Sequence, residues 1–120
     1  MTVTAARKAV GELGEDAAAL WYESHGYQVV ARNWRVREGE LDIVAASNLV
    51  VVFCEVKTRS SNAFGSPFEA VTASKQARIR KLALLYLDAN PQSRRSLRFD
   101  VAAVTPGRDG PNVEIIEAAF

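Results

Sequence analysis

Two acidic residues and a lysine lie where the sequence predicts neighbouring β-strands. Asp42 is inside the apolar run at residues 40–45, and Glu55 and Lys57 end a second run at residues 49–57. Side chains alternate along a strand, so Glu55 and Lys57 are expected to share one face. Charges at the end of a buried strand are costly unless they are paired or coordinated. The pattern therefore indicates a functional cluster or a structural ion-pair cluster.

A hairpin with an even number of loop residues would bring Asp42 to the same face. A turn at residues 47–48 or at residues 48–49 would supply it, and Asp42 would then lie opposite Phe53 or Glu55. Two carboxylates that converge repel each other unless a cation lies between them. The spacing predicts a divalent-metal site with a lysine beside it, and a purely structural cluster is the alternative.

The sequence limits the catalytic groups that are available. Its one histidine and one cysteine, His25 and Cys54, are too few for an ordinary zinc site. Cys54 lies in the apolar run and is expected to be a small buried side chain. No G-x-x-x-x-G-K-[ST] loop and no G-x-S-x-G elbow is present, so nucleotide-fuelled and serine-hydrolase chemistry lack their usual residues. The remaining ligands are oxygen atoms, which favours Mg²⁺ or Mn²⁺.

Basic residues are concentrated in two parts of the chain. One group is Arg32, Arg35 and Arg37, and the other lies in residues 72–98, where Asp88 is the only acid. A basic surface beside an acidic pocket suits a protein that holds a phosphate backbone over a metal ion, and a solvated helix face is the alternative. The residues predicted to contact nucleic acid are Lys75, Gln76, Arg59, Arg35 and Arg78.

Several segments of the sequence resemble the YraN-like family of bacterial proteins. They are G-E-L-G-E-D-A-A (11–18), R-N-W-R (32–35), G-E-L-D-I-V-A (39–45), V-F-C-E-V-K-T-R (52–59), F-G-S-P (64–67), A-V-T-A-S-K-Q (70–76) and R-F-D-V (98–101). Asp42 followed by E-V-K at residues 55–57 resembles the signature of the PD-(D/E)XK nucleases. Glu40 and Leu41 stand in place of the proline that gives the signature its name.

The resemblance implies a restriction endonuclease-like core, related to that of archaeal Holliday junction resolvases. It implies a metal-dependent endonuclease that hydrolyses nucleic acid, with DNA expected and branched or repair-type structures among the candidates. Asp42 and Glu55 would hold Mg²⁺ or Mn²⁺ with the Val56 carbonyl as a third ligand, and Lys57 would orient water or stabilise developing charge. A domain that keeps the fold but only binds nucleic acid or a partner is the alternative.

The first predicted helix also contributes to the implied site. The resemblance gives Glu15 the role of completing the water shell of the metal, with Glu12 as a competitor. Small residues share a face with Glu15 and would let a neighbouring backbone or ligand approach. The apolar stripe predicted to pack on the core consists of Val10, Leu13, Ala17, Leu20 and Trp21.

The elements that would position these residues follow the order α-β-β-β-α-β-β. This order predicts an α/β fold with a mixed central sheet flanked by helices. Helices are predicted at residues 4–25 and 72–90, and strands at residues 27–34, 40–45, 49–57, 97–104 and 113–116. Residues 49–54 are apolar throughout, which is typical of a central strand covered on both faces. Residues 58–71 predict a loop that borders the site.

The composition predicts one domain formed by residues 1–120. The apolar fraction of 48% and the charged fraction of 24% are ordinary for a globular protein. No apolar run approaches the ~20 residues needed to cross a membrane. No secretory signal is visible near the N-terminus, so a cytoplasmic protein is expected. A homodimer with Leu49 or Phe64 at its interface is a further candidate arrangement.

Overall fold

The order of helices and strands matches the order predicted from the sequence. The computed structural model describes residues 3–59, 71–91 and 95–120, with side chains described from residue 11 onward. The elements are α1 (Val3–Ser24), β1 (Gln28–Val36), β2 (Gly39–Ala46), β3 (Val50–Thr58), α2 (Ala73–Ala89), β4 (Ser96–Thr105) and β5 (Asn112–Ile116). The predicted α-β-β-β-α-β-β order is confirmed, and every boundary falls within two residues of its predicted position.

The strands form one mixed sheet in the order β1-β2-β3-β4-β5. β3 and β4 are parallel, with Val50 beside Ser96 and Thr58 beside Val104, and the other pairs are antiparallel. β3 is therefore the central strand, as its continuous apolar run predicted. The predicted loop at residues 58–71 falls mostly outside the described residues, and with it Phe64.

The two helices cover opposite faces of the sheet. α2 packs its stripe of Ile79, Leu82, Ala83 and Tyr86 on one face, against a group that includes Leu41, Val44, Phe53 and Phe99. The α1 core on the other face contains Ala18, Ala19, Tyr22, Ile43, Ala45, Val52, Cys54 and Ala102. Cys54 is buried there, as expected. Each face thus has its own apolar core, and the central strand contributes to both.

The prediction for the buried face of α1 is wrong at its two leucines, although Trp21 of the same stripe does pack against the α1 core. Leu13 and Leu20, expected in the core, are 64% and 67% exposed, and the helix instead buries Ala18, Ala19 and Tyr22. Helix periodicity allows either face to pack, and the choice is set by how closely the helix must approach the sheet. Small side chains permit a close approach that a leucine stripe would prevent.

Gly14 sets the closest point of this approach. A Cβ at Gly14 would overlap Oγ1 of Thr58, at the end of β3. The absence of a side chain therefore lets α1 lie directly on the end of the central strand. The next residue along the helix, Glu15, is placed beside that strand end as a result.

Asp100 is the one charged residue that is fully buried in the described part of the chain. Its carboxylate accepts hydrogen bonds from the Tyr22 hydroxyl at 2.7 Å, from the Arg98 guanidinium at 2.9 and 3.0 Å, and from the Ala118 amide at 3.0 Å. A buried carboxylate with this many donors is stabilised where it stands. Asp100 therefore fastens β4 to α1 and to the chain after β5.

Candidate metal centre

The candidate site lies where β2 separates from β3. Paired residues of the two strands run from Ala46 opposite Val51 to Ile43 opposite Cys54. Beyond that point the Val56 amide donates to the Asp42 carboxylate at 2.9 Å instead of to a backbone carbonyl. The carboxylate thus fills a gap in the strand ladder, with a backbone donor fixing one of its oxygens.

The register of the hairpin is one of the two that the sequence allowed. The Ser47 amide donates to the Val50 carbonyl at 2.9 Å, which leaves residues 48–49 as the turn. Continuing the register beyond Ile43 and Cys54 places Asp42 opposite Glu55. After burial, repulsion from Glu55 is the largest effect that raises the pKa of Asp42, which accords with this placement.

Side-chain alternation is interrupted at Asp42. Leu41 packs in the α2 core, whereas Ile43 packs in the α1 core, although residues two apart on a regular strand share a face. The side chains of β2 therefore change the side of the sheet to which they point at Asp42. The Asp42 carboxylate lies in the gap between the strands, within reach of Glu15 on α1.

Glu55 and Lys57 form an ion pair on the α2 side of the sheet. The Lys57 ammonium lies 3.3 Å from Oε1 of Glu55, and both side chains are largely buried. Phe53, which is on the same side of β3, belongs to the α2 core. The structure therefore brings together the acids and the lysine that the sequence selected. The N–H and C=O of one strand residue point towards the same neighbouring strand, so the Val56 carbonyl also faces the gap beside Asp42.

Two further carboxylates complete the cluster. Oxygen atoms of Glu15, Glu40 and Asp42 all lie within 4.8 Å of one another. Of the two α1 acids weighed from the sequence, Glu15 faces the site and Glu12 is exposed. Glu40 was not recognised as a site residue. Its only signal was its spacing of two from Asp42 on the same predicted strand.

Glu15 is held in place by β1. The Asn33 side-chain amide donates to Oε2 of Glu15 at 2.9 Å, and Arg32 pairs with Asp16 of the same helix at 2.6 Å. Asn33 has a φ of 51°, in the left-handed region that Asn tolerates better than most residues. This conformation aims its side chain at α1, a contact that periodicity could not reveal.

The cluster is electrostatically strained without a cation. Burial raises the pKa of Asp42 to about 8, and repulsion from Glu55 and then from Glu15 adds to this, while the hydrogen bond from the Val56 amide opposes it. Near neutral pH the neighbouring carboxyl groups of Asp42 and Glu55 therefore retain a proton between them. A divalent cation could take the place of that proton.

The donor set fits Mg²⁺ or Mn²⁺. Every side chain in the group offers carboxylate oxygens, the ligands that hard divalent cations prefer. Ligands at 2.0–2.1 Å from Mg²⁺ lie up to about 4.2 Å apart across the ion. Oxygen atoms that already lie within 4.8 Å of one another need only small side-chain rotations to reach this geometry.

The first turn of α2 places basic residues on the other side of the cluster. Lys75 is close enough to Lys57 that the Lys57 ammonium lowers the pKa of Lys75, with burial adding to the effect and Glu55 opposing it. Arg78 lies beside Gly39, since a Cβ there would be 3.7 Å from Arg78 Cδ. Thr72 caps the helix by accepting from the Lys75 amide at 3.2 Å.

The other residues predicted to contact nucleic acid lie in surroundings that differ from those of Lys75 and Arg78. The Gln76 side chain donates to the Val71 carbonyl at 3.1 Å and so holds the start of α2. Arg35 pairs with Glu40 at 3.0 Å. Arg59 lines a mainly apolar groove of about 380 Å³ beside Leu13 and Val104, apart from the α2 group. Their predicted roles in binding nucleic acid stay predictions.

The fold and site together define a class of protein. A mixed five-stranded sheet between two helices, with acids and a lysine where the central hairpin opens, is consistent with an α/β nuclease-like core. Neither helix, over the residues that the structure describes, has the length and apolar character needed to span a bilayer.

Comparisons with known proteins identify the family. A family model described as "Uncharacterised protein family UPF0102" matches residues 14–104. A UPF0102 protein of Moorella thermoacetica is 46% identical over 122 residues, covering 100% of both chains. UPF0102 proteins of Acidothermus cellulolyticus and Frankia casuarinae are 43% and 47% identical, covering 96% of this chain and 96% and 98% of theirs. The chain belongs to the UPF0102 family, which confirms the YraN-like resemblance.

Proposed function

We propose that this protein is a metal-dependent endonuclease that hydrolyses phosphodiester bonds in nucleic acid, with DNA as the expected substrate. One observation carries the proposal: the carboxylates of Glu15, Glu40 and Asp42 converge beside the Glu55–Lys57 pair. A structural ion-pair cluster would balance its charges. Here Asp42 has no ion pair among the described residues, and burial, with repulsion from Glu55 adding to it, raises the pKa of Asp42 to about 8.

The acids of the cluster are suited to hold the cofactor, Mg²⁺ or Mn²⁺. Such a cation supplies the Lewis acidity that polarises a scissile phosphate and makes water a stronger nucleophile at neutral pH. Asp42 is fixed for this role by the Val56 amide, and Glu15 by Asn33. Fixed ligands limit the reorganisation that binding would otherwise require.

Lys57 is placed to act on the reacting groups. Its ammonium is anchored to Glu55 at 3.3 Å and can donate to the attacking water or to a phosphate oxygen as negative charge develops. Lys75 lies next to it, and Arg78 follows one turn later on α2. These cations can hold the phosphates on either side of the bond that is cut.

A nuclease assay tests the proposal. The substrates are single-stranded, duplex, flapped and branched DNA and a matched RNA, each with Mg²⁺, Mn²⁺ or chelator. We expect metal-dependent cleavage that Lys57→Ala abolishes and that Lys81→Ala, which removes the same charge from an exposed position of α2, preserves. Equal cleavage by wild type and Lys57→Ala would mean that a contaminant is responsible.

The same experiment separates the second candidate function. Salt-dependent binding to the same substrates without cleavage, in the presence of metal, would identify a binding module that keeps the nuclease fold. A cytoplasmic location accords with a nucleic-acid substrate and is part of the proposal. A homodimer is also proposed, with the exposed Leu49 as a candidate contact.

A further inference from the structure

Arg35 and Glu40 occupy a special position at the edge of the candidate metal centre. They are direct cross-strand neighbours on β1 and β2, and Nε of Arg35 lies 3.0 Å from Oε2 of Glu40. The Arg35 side chain is 76% exposed, and that of Glu40 is 30% exposed. The pair therefore stands at the edge of the cluster formed by Glu15, Glu40 and Asp42, with the acid more buried than the guanidinium.

Glu40 belongs to two groups at once. On its outer side it pairs with Arg35, and on its inner side an oxygen lies within 4.8 Å of oxygens of Glu15 and Asp42. A cation bound by the inner group would draw on the same negative charge that now holds Arg35. The two positive charges therefore compete for one carboxylate.

The ion pair of Arg35 and Glu40 is also weak enough for each residue to change its partner. An exposed ion pair contributes little to stability because water and salt screen it. The other pair of the site, Glu55 with Lys57, is largely buried and has less access to solvent. A released, exposed guanidinium at the edge of the cluster is well suited to a phosphate, which it can bind through two parallel hydrogen bonds.

The geometry points to Arg35 and Glu40 as an ion pair that couples binding of the cation to binding of the nucleic-acid backbone. When a divalent cation is bound, Glu40 serves as one of its ligands and Arg35 turns to a phosphate of the substrate. Binding of either ligand then strengthens binding of the other by the same factor. This inference rests on the proposed function, because it concerns the same cation site.

Calorimetric titration of Mn²⁺ into the metal-free protein tests the first part of the inference, that the cation takes Glu40 from Arg35. We expect Glu40→Gln to weaken Mn²⁺ binding at least about tenfold, because a ligand is lost. Arg35→Ala should tighten Mn²⁺ binding about two- to fivefold, because a competing cation is removed. The matched controls are Arg37→Ala and Glu38→Gln, which change the same charges in the exposed turn between β1 and β2 and should have smaller effects.

Fluorescence anisotropy with a short phosphorothioate oligonucleotide, which resists hydrolysis, tests the second part of the inference, that Arg35 binds a phosphate. Without metal, Glu40→Gln should bind it about two- to fivefold more tightly than Glu38→Gln does, because Arg35 has been released. Saturating Mn²⁺ should strengthen binding in the wild type and in Arg37→Ala. The gain should be smaller in Arg35→Ala.

The outcomes separate this inference from the proposed function. Wild-type protein that binds no Mn²⁺ would contradict both. Tight Mn²⁺ binding that Glu40→Gln leaves unchanged, or an equal metal-dependent gain in Arg35→Ala and Arg37→Ala, would overturn the coupling and leave the proposed function standing. Melting temperatures of all variants would show whether any change reflects loss of folding.

Discussion

Asp42 is the residue at which burial and like charge combine most strongly. Burial first, and then repulsion from Glu55, raise its pKa to about 8, whereas an unfolded aspartate titrates near 4. Between these values the folded protein binds a proton that the unfolded chain does not. Folding stability must therefore decrease as the pH rises through this window, by the linkage between proton uptake and folding.

The first prediction follows for the metal-free protein. The free energy of unfolding should fall between about pH 4 and pH 8, with Asp42 contributing at most about 1.4 kcal/mol per pH unit. Asp42→Asn should remove this contribution, because the amide cannot ionise. Urea unfolding in the presence of a chelator, repeated across this pH range, measures the contribution of Asp42. Asp109→Asn, at an exposed turn, is the control, and an equal slope in both variants would rule out Asp42 as the source.

The second prediction concerns metal binding at the same residue. A cation must displace the proton from Asp42, so affinity for Mn²⁺ should fall by up to about tenfold per pH unit as the pH decreases from about 8. Calorimetry in two buffers of different ionisation enthalpy would also detect the released proton. An affinity that does not change with pH over this range, in protein that binds Mn²⁺, would contradict the assignment of Asp42 as a ligand.

For the helix α1 as an element, one glycine, Gly14, determines how closely it lies to the sheet. Gly14 lies against Thr58 at the end of β3, and a Cβ there would overlap the threonine hydroxyl. Glu15 follows immediately, so the closeness of the helix controls where this acid lies. Gly11, one turn earlier, faces open space, since a Cβ there would meet no atom within 4 Å. The two glycines therefore form a matched pair.

The third prediction compares alanine at these two glycines. Gly14→Ala should destabilise the protein by about 1–3 kcal/mol, because the added methyl group forces α1 away from β3. Gly11→Ala should stabilise it by about 0.5–1 kcal/mol, because alanine has the higher helix propensity. Chemical unfolding measures both effects, and Gly14→Ala should also weaken Mn²⁺ binding by moving Glu15. If the two substitutions changed the free energy of unfolding similarly, helix propensity alone would determine the effect of alanine at these positions.

Strands and hairpins were predictable from the sequence because local patterns determine them. The apolar run before Glu55 indicated a central strand, and an even turn placed Asp42 opposite Phe53 or Glu55, of which the structure has the second. The face of α1 was not predictable in the same way. Leu13 and Leu20 gave a convincing apolar stripe, but the small residues on the other face allow a closer packing distance.

The hairpin pattern predicted Asp42, Glu55 and Lys57, because alternation along neighbouring strands brings them together. Glu40 was not selected, although its spacing of two from Asp42 places both on one face of a regular strand, because nothing in the pattern distinguished it from a solvent-exposed acid. Asn33 was missed because its left-handed backbone directs its amide to Glu15. That contact depends on backbone geometry that alternation and periodicity do not describe. The assignment of Glu15 over Glu12 came from the resemblance and agrees with its position.

At the scale of the whole molecule, charge is distributed unequally around the candidate metal centre. α1 brings acids to one side, Glu15 in the cluster and Asp16 on the rim. α2 brings Lys75 and Arg78 to the other side, next to Lys57. A nucleic-acid backbone is expected to follow the α2 side, because its phosphates would be repelled by the carboxylates of α1.

The fourth prediction tests this path. Lys75→Ala and Arg78→Ala should each weaken binding of a DNA oligonucleotide similarly across sequences. Each should also reduce the slope of log affinity against log salt by about 0.7–0.9, the loss of one phosphate contact. The control is Arg95→Gln, at the opposite end of the sheet beside Leu49. It removes the same charge but should leave the slope unchanged, because the proposed path does not reach it. If all three variants change the slope equally, the protein attracts DNA through its overall charge, and the α2 side has no special role.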